Sequence, residues 1–111
     1  MKFFLLTLAY SSLSFAADLT GAWACEVQTD AGSGTPRFEF TQTGESLKGK
    51  YSGQLGEADV AGKVTGDKAM WSFKVEVGTI AYEGTVTGDT MKGKLELAGQ
   101  GGGTFSCKKS K

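Results

Sequence analysis

Histidine is absent from this 111-residue chain, proline occurs once and cysteine twice, and 12 basic residues balance 12 acidic ones. Without histidine the commonest general base and the usual zinc ligand are missing, and two cysteines alone make a poor metal site. We therefore expect no metal and no cofactor. A formal charge of zero, with Lys and Arg spread along the chain, lacks the basic face that a nucleic-acid partner selects. The Gly99–Gly103 run has neither a following helix pattern nor a Lys-Ser/Thr pair, so it does not read as a phosphate cradle. Serine and threonine are plentiful, yet none has an evident base partner, and the expectation is a protein that is not an enzyme.

Long apolar runs are also missing. The one short run, Phe3-Phe4-Leu5-Leu6-Thr7-Leu8-Ala9-Tyr10, follows Lys2 and leads to Ser14-Phe15-Ala16, with small residues at the −3 and −1 positions of a cut after Ala16. That pattern predicts a signal peptide over residues 1–16. The alternative, a membrane anchor, needs roughly 20 apolar residues, and this run breaks at Ser11-Ser12. The expected mature chain, residues 17–111, carries 11 basic and 12 acidic residues, a net charge of 11 − 12 = −1, and would be secreted or periplasmic. No membrane span is expected in it. In an exported chain the pair Cys25 and Cys107 predicts a disulfide between the first and last strands, the alternative being two buried thiols.

What is present in quantity is glycine, 17 residues, and a repeat. Residues 43–64, 65–86 and 87–108 are three 22-residue copies, each opening on Thr-Gly-acid: Thr43-Gly44-Glu45, Thr65-Gly66-Asp67 and Thr87-Gly88-Asp89. A fixed period denotes one supersecondary unit used repeatedly, and here each copy reads as a turn followed by two alternating strands. Strands are expected over 20–28, 36–43, 46–54, 59–65, 69–77, 80–87, 90–98 and 104–109, with 29–35 and 99–103 as loops. The Gly44-Glu45 turn would set Phe40 opposite Gly49 and Phe38 opposite Tyr51; a Gly78-Thr79 turn would set Val75 opposite Tyr82 and Lys74 opposite Glu83; the Gly88-Asp89 turn would set Glu83 opposite Lys94. An outer ladder Lys74–Glu83–Lys94 follows from those registers. Eight strands in sequence, with the first joined to the last through Cys25 and Cys107, predict an all-β, eight-stranded antiparallel up-and-down barrel in a single domain, residues 17–111.

The inward row is apolar and aromatic, with Trp71, Phe73, Val75 and Val77 its bulkiest stretch, and is interrupted by Gly21, Gly49, Gly53, Gly62, Gly84 and Gly93. Two readings follow. Inward glycine gives strands room to coil and rings room to lie across them, which fills the core. The same missing side chains could instead leave a cavity lined by Trp23, Tyr51, Trp71, Phe73 and Tyr82, the candidate ligand-contacting residues.

Gly21-Ala22-Trp23, Leu47-Lys48-Gly49-Lys50-Tyr51 and Tyr82-Glu83-Gly84 stand in an order that resembles avidin and streptavidin-type barrels, and a G-x-W first strand also opens lipocalin barrels. The Gly-rich G-x-V-x-G-D pattern is similar to small secreted barrel domains as well. The resemblance implies the eight-stranded fold. It does not imply biotin binding, because the positions two residues after the first-strand Trp and the third-strand Tyr, polar in that family, are Cys25 and Gly53. The functional expectation is a non-enzymatic binding module acting through its loops or open end on an unidentified protein. The alternatives are a carrier of a small apolar ligand inside the barrel and an enzyme inhibitor.

Overall fold

The computed structural model describes residues 18–110 except 31 and 100; the expected signal segment, 1–16, lies outside the described residues. Nine strands follow one another: β1 (Gly21–Thr29), β2 (Gly32–Gly34), β3 (Arg37–Thr43), β4 (Ser46–Gly53), β5 (Gly56–Thr65), β6 (Lys68–Val75), β7 (Gly78–Thr87), β8 (Thr90–Leu97) and β9 (Gly102–Lys109). Each pairs antiparallel with its neighbour from β3 to β9, and β9 returns to β1, so the sheet closes. β2 and β3 share one edge of β1: Thr29 pairs with Gly32 at one end and Gly21 with Phe40 at the other, and the Cys25 amide bridges the gap to the Pro36 carbonyl at 3.0 Å. They act as one barrel strand interrupted at Pro36, where no amide hydrogen is available to the ladder. The architecture is therefore the expected eight-stranded barrel with one extra short strand, formed by residues that composition alone marks as a loop.

Cys25 and Cys107 are direct register partners and are disulfide-bonded across 82 residues of chain. On a chain-entropy account a loop of that length contributes about 4 kcal/mol. The bond lies at the β1–β9 seam, where the barrel's first and last strands meet.

The 22-residue repeat becomes a repeated hairpin. Gly44, Gly66 and Gly88 each have φ near +60°, at 62°, 62° and 60°, and each is followed by an acidic residue with ordinary negative φ, as a two-residue turn that begins on glycine requires. The acidic residue's carbonyl then accepts a backbone bond from the strand that closes the next hairpin: Val64 to Glu45 at 2.9 Å, Val86 to Asp67 at 2.8 Å and Lys109 to Asp89 at 2.8 Å. The first two donors are 86 − 64 = 22 residues apart and the last two 109 − 86 = 23, so the third copy carries one extra residue, taken up in the wider β8–β9 turn. With that offset Cys107 stands where the earlier copies have Gly62 and Gly84. Trp71 likewise occupies in the middle copy the position that Gly49 and Gly93 hold in the outer two.

Three expected registers hold: Phe38 pairs with Tyr51, Phe40 with Gly49, and Glu83 with Lys94. The β6–β7 hairpin differs. Its turn is Glu76-Val77, Val75 pairs with Gly78, and Trp71 rather than Val75 stands opposite Tyr82. Gly78, at φ +127°, follows the turn instead of starting it, as Gly56 at +107° follows Gln54-Leu55 one repeat earlier. The shift is even in each strand, so facing is kept, but Val77 moves from the expected core to the turn, where it is 49% exposed. Lys74 consequently pairs with Thr79, and of the expected ladder only Glu83 opposite Lys94 is formed. Among the described residues the one ion pair is Lys50–Asp59, at 2.6 Å on the outer face.

The interior is apolar throughout; among the described residues no polar or charged side chain joins it apart from the tyrosines. Phe38 sits at its centre, with the rings of Phe40, Tyr51, Trp71, Phe73 and Tyr82 at 5.3–5.9 Å from its own. Edge-to-face and offset contacts of this kind add to the burial of each ring. The inward Gly49, Gly62, Gly84 and Gly93 have no free space beside them: neighbouring backbone, and at Gly84 the Phe105 ring, lies where a side chain would go. A Cβ on Gly84 would come within 2.6 Å of the Lys92 carbonyl oxygen and 2.8 Å of Phe105 Cζ, and one on Gly49 or Gly93 would run into the carbonyl of Glu39 or Glu83. The middle of the barrel is filled, by Phe105 over Gly84 and by Trp71 beside Gly62.

Candidate functional site

The barrel has two unlike ends. At one, Leu19 is fully buried ahead of β1, its amide donating to Gln42 Oε1 at 2.8 Å and its carbonyl accepting from Trp23 Nε1 at 3.0 Å. Leu47, Val64 and Met91 are buried to 1% exposure or less, and Lys109 reaches across to the Asp18 carbonyl at 3.2 Å. Leu19 is a closing residue that strand alternation does not reveal, because it precedes the first strand. The only sequence cue is an apolar residue two positions ahead of Gly21-Ala22-Trp23.

The opposite end is open. It is bounded by β2, by the turns at Gln54-Leu55 and Glu76-Val77, and by the β8–β9 connection, where Ala98 takes φ 51° and Gly99 and Gly101 take 80° and 118°. Between them lies a cavity of about 230 Å³. Val27, Phe73, Ile80 and Leu95 form its walls, Tyr51 and Tyr82 contribute the two phenols, and Leu55 and Val77, 43% and 49% exposed, stand on its rim. Thr29, Ser33, Thr35 and Gln54 add polar groups toward the outside, and among the described residues no Lys, Arg, Asp or Glu lines it. The turn chemistry explains the rim: two-residue turns followed by a glycine of positive φ leave the second turn residue pointing into solvent, and here that residue is leucine or valine.

The two phenols differ. Tyr51 Oη accepts from the Leu55 amide at 3.3 Å, which ties the turn to the floor of the cavity, and its ring stacks on Phe73 at 4.2 Å and 14°. Tyr82 is 4% exposed, stacks on Trp71 at 5.2 Å and 12°, and its hydroxyl has no hydrogen-bond partner among the described residues. Burial, and secondarily the Tyr51 phenol, push the Tyr82 phenol up from its ordinary value near 10. It therefore remains a neutral O–H donor in any ordinary buffer.

Of the five candidate ligand-contacting residues, Tyr51, Phe73 and Tyr82 meet in this cavity. Trp23 lies at the closed end against Leu19, and Trp71 lies in the filled middle, its Nε1 buried without a hydrogen-bond partner. The residues that sequence reasoning did not single out are the rim pair Leu55 and Val77 and the wall residues Val27, Ile80 and Leu95. Gly56 and Gly78, one repeat apart, carry the signal that would have placed the rim turns.

A larger concavity, about 630 Å³, lies on the outside of β5–β9 among Lys63, Met70, Ser72, Ala81, Glu83 and Lys94. It is a wide surface groove flanked by exposed, flexible charged side chains, whereas the mouth brings apolar walls and two phenols together, the arrangement expected of a small-molecule site. No cluster of His, Cys, Asp and Glu able to hold a metal occurs among the described residues, and no described helix is long and apolar enough to cross a membrane. Compared with protein-family models and with curated proteins, the chain matches none.

Proposed function

We propose that this chain is a non-enzymatic binding module that works through the open end of its barrel, taking a small apolar group into the mouth cavity. The observation that carries the reading is the asymmetry of the two ends: the aromatic core is filled and one end is plugged by Leu19, while the other presents about 230 Å³ of apolar space with an exposed Leu55 and Val77 at its edge. That volume is smaller than the roughly 300–1,000 Å³ of sites for drug-sized ligands and larger than the ~150 Å³ in which a benzene ring is held. It favours one ring or one branched side chain over a long lipid, and so favours a mouth site over a deep carrier cavity. The disulfide is compatible with an extracellular or periplasmic location, which supports export after removal of residues 1–16. The avidin-like resemblance is kept as a proposal about fold ancestry alone, since Cys25 and Gly53 stand at the positions where that family is polar.

The test is a fragment screen read by NMR on protein labelled at Val, Leu, Ile and Met methyls. Shift changes concentrated at Val27, Ile80, Leu95 and Leu97, and reduced by Val77→Asp at the rim, are the expected result. Perturbations confined to the outer groove around Met70, or none anywhere, would overturn the reading.

A further inference from the structure

The cavity's chemistry narrows what can enter it. Among the described residues its walls carry no charge, so an ionised ligand would give up hydration without a compensating partner, which selects for uncharged compounds. Its space exceeds that of one ring but not by enough for two. Tyr51, stacked on Phe73, and Tyr82 form its inner end, offering ring edges and faces to which another ring can pack in offset or edge-to-face fashion.

Tyr82 adds a polar specification. Its side chain lines the cavity and is almost wholly buried, yet no described residue accepts its proton. Unlike Trp71 Nε1, which is buried out of reach, the Tyr82 hydroxyl opens onto the cavity with no protein acceptor of its own, so a ligand acceptor can take its proton in place of water. Tyr51 is the contrasting case, since its oxygen is already engaged by the Leu55 amide.

We infer that the mouth binds an uncharged, single-ring aromatic compound carrying one hydrogen-bond acceptor, such as an aryl ketone, with Tyr82 Oη donating to the acceptor oxygen. This rests on the proposed mouth-binding function and specifies its ligand class. The ring enters between Leu55 and Val77, and the carbonyl points inward to Tyr82.

Acetophenone and α-methylstyrene test it, because they have nearly the same shape and differ in whether an oxygen or a methylene faces the phenol; benzoate is the charged control. Methyl-NMR titrations of the folded, disulfide-intact protein should give acetophenone an affinity about tenfold above that of α-methylstyrene, the ratio typical of one buried hydrogen bond, with benzoate the weakest of the three. Tyr82→Phe removes no hydrogen bond present in the structure and so should fold normally; it should bring acetophenone and α-methylstyrene to parity, while Tyr51→Phe should leave the preference in place. Equal affinities in the unsubstituted protein, or a preference that survives Tyr82→Phe and disappears in Tyr51→Phe, would overturn the assignment and leave mouth binding standing. If none of the compounds shifts the mouth methyls, the mouth-binding function falls together with it.

Discussion

The plugged end and the open end of this barrel are made from the same three repeats, but from different halves of each. At the plugged end every turn is Thr-Gly-acid, every glycine has φ near +60°, and the same backbone bond to the turn carbonyl recurs at Glu45, Asp67 and Asp89. At the open end no two connections match in full: two residues separate Thr29 of β1 from Gly32 of β2, the next two turns expose leucine or valine, and the last is widened by an extra residue. Uniform turns let Leu47, Val64 and Met91 pack to a single level with Leu19 beneath them. Irregular turns leave the top level uneven, and the cavity is what that unevenness encloses. A repeat that is strict at one end and relaxed at the other separates stability from variation, since loops on a rigid scaffold can change without disturbing the core.

Substitutions can break or sharpen this contrast. The largest effect belongs to the ring layer that both ends share: Trp71→Ala should cost about 3–5 kcal/mol by urea denaturation, the range for deleting a large buried aromatic. Next comes the direct comparison of ends. Leu47→Ala at the plugged end should cost about 2–5 kcal/mol, whereas Val77→Ser on the rim should stay within about 0.5 kcal/mol, because half of Val77 is already in water. Equal losses at the two sites would show that the rim is packed as tightly as the plug. Gly84→Val should cost roughly 1–3 kcal/mol or more, since its Cβ has Phe105 and the Lys92 carbonyl in its way; unchanged or increased stability would mean that the middle of the barrel is hollow.

The smallest effect is a pH dependence. The folded-state pKa of Tyr82 is raised above its unfolded value near 10, so its contribution to stability is complete below about pH 10 and is lost as the pH rises above that, when only the unfolded phenol ionises. Melting temperatures of the natural chain should therefore fall more steeply between pH 9.5 and roughly 11 than those of Tyr82→Phe. Parallel curves would place the phenol in open water and weaken the case for a buried donor at the mouth.

The exposed pair Lys50–Asp59 teaches the opposite lesson about electrostatics. Their mutual hydrogen bond raises the lysine and lowers the aspartate, yet both are fully exposed, and such pairs contribute little. The expected ladder through Lys74 fails for a related reason. Nothing about a surface charge pair is strong enough to set a register, and the register of β6–β7 was decided by Gly78, which needs its positive φ just after the turn.

Alternation of side chains and the glycine that begins a tight turn are local properties, acting over two to four residues, and they were sufficient to determine the eight-strand order and the facing of Phe38, Phe40, Trp71 and Phe105, while the pairing of Cys25 with Cys107 followed from the two cysteines of an expected exported chain. The sequence alone thus specified a closed barrel. What fills the space along the axis is a different kind of property. Whether the glycines make a hollow depends on which rings, from strands distant in the chain, come to lie over them, and Phe105 of the last strand covers Gly84 of the seventh. The tertiary structure decided that Trp23 and Trp71 lie away from the mouth cavity, that Tyr51 is tied to Leu55, and that Tyr82 is left without a partner, because each outcome depends on volume shared among side chains brought together only by closure of the sheet.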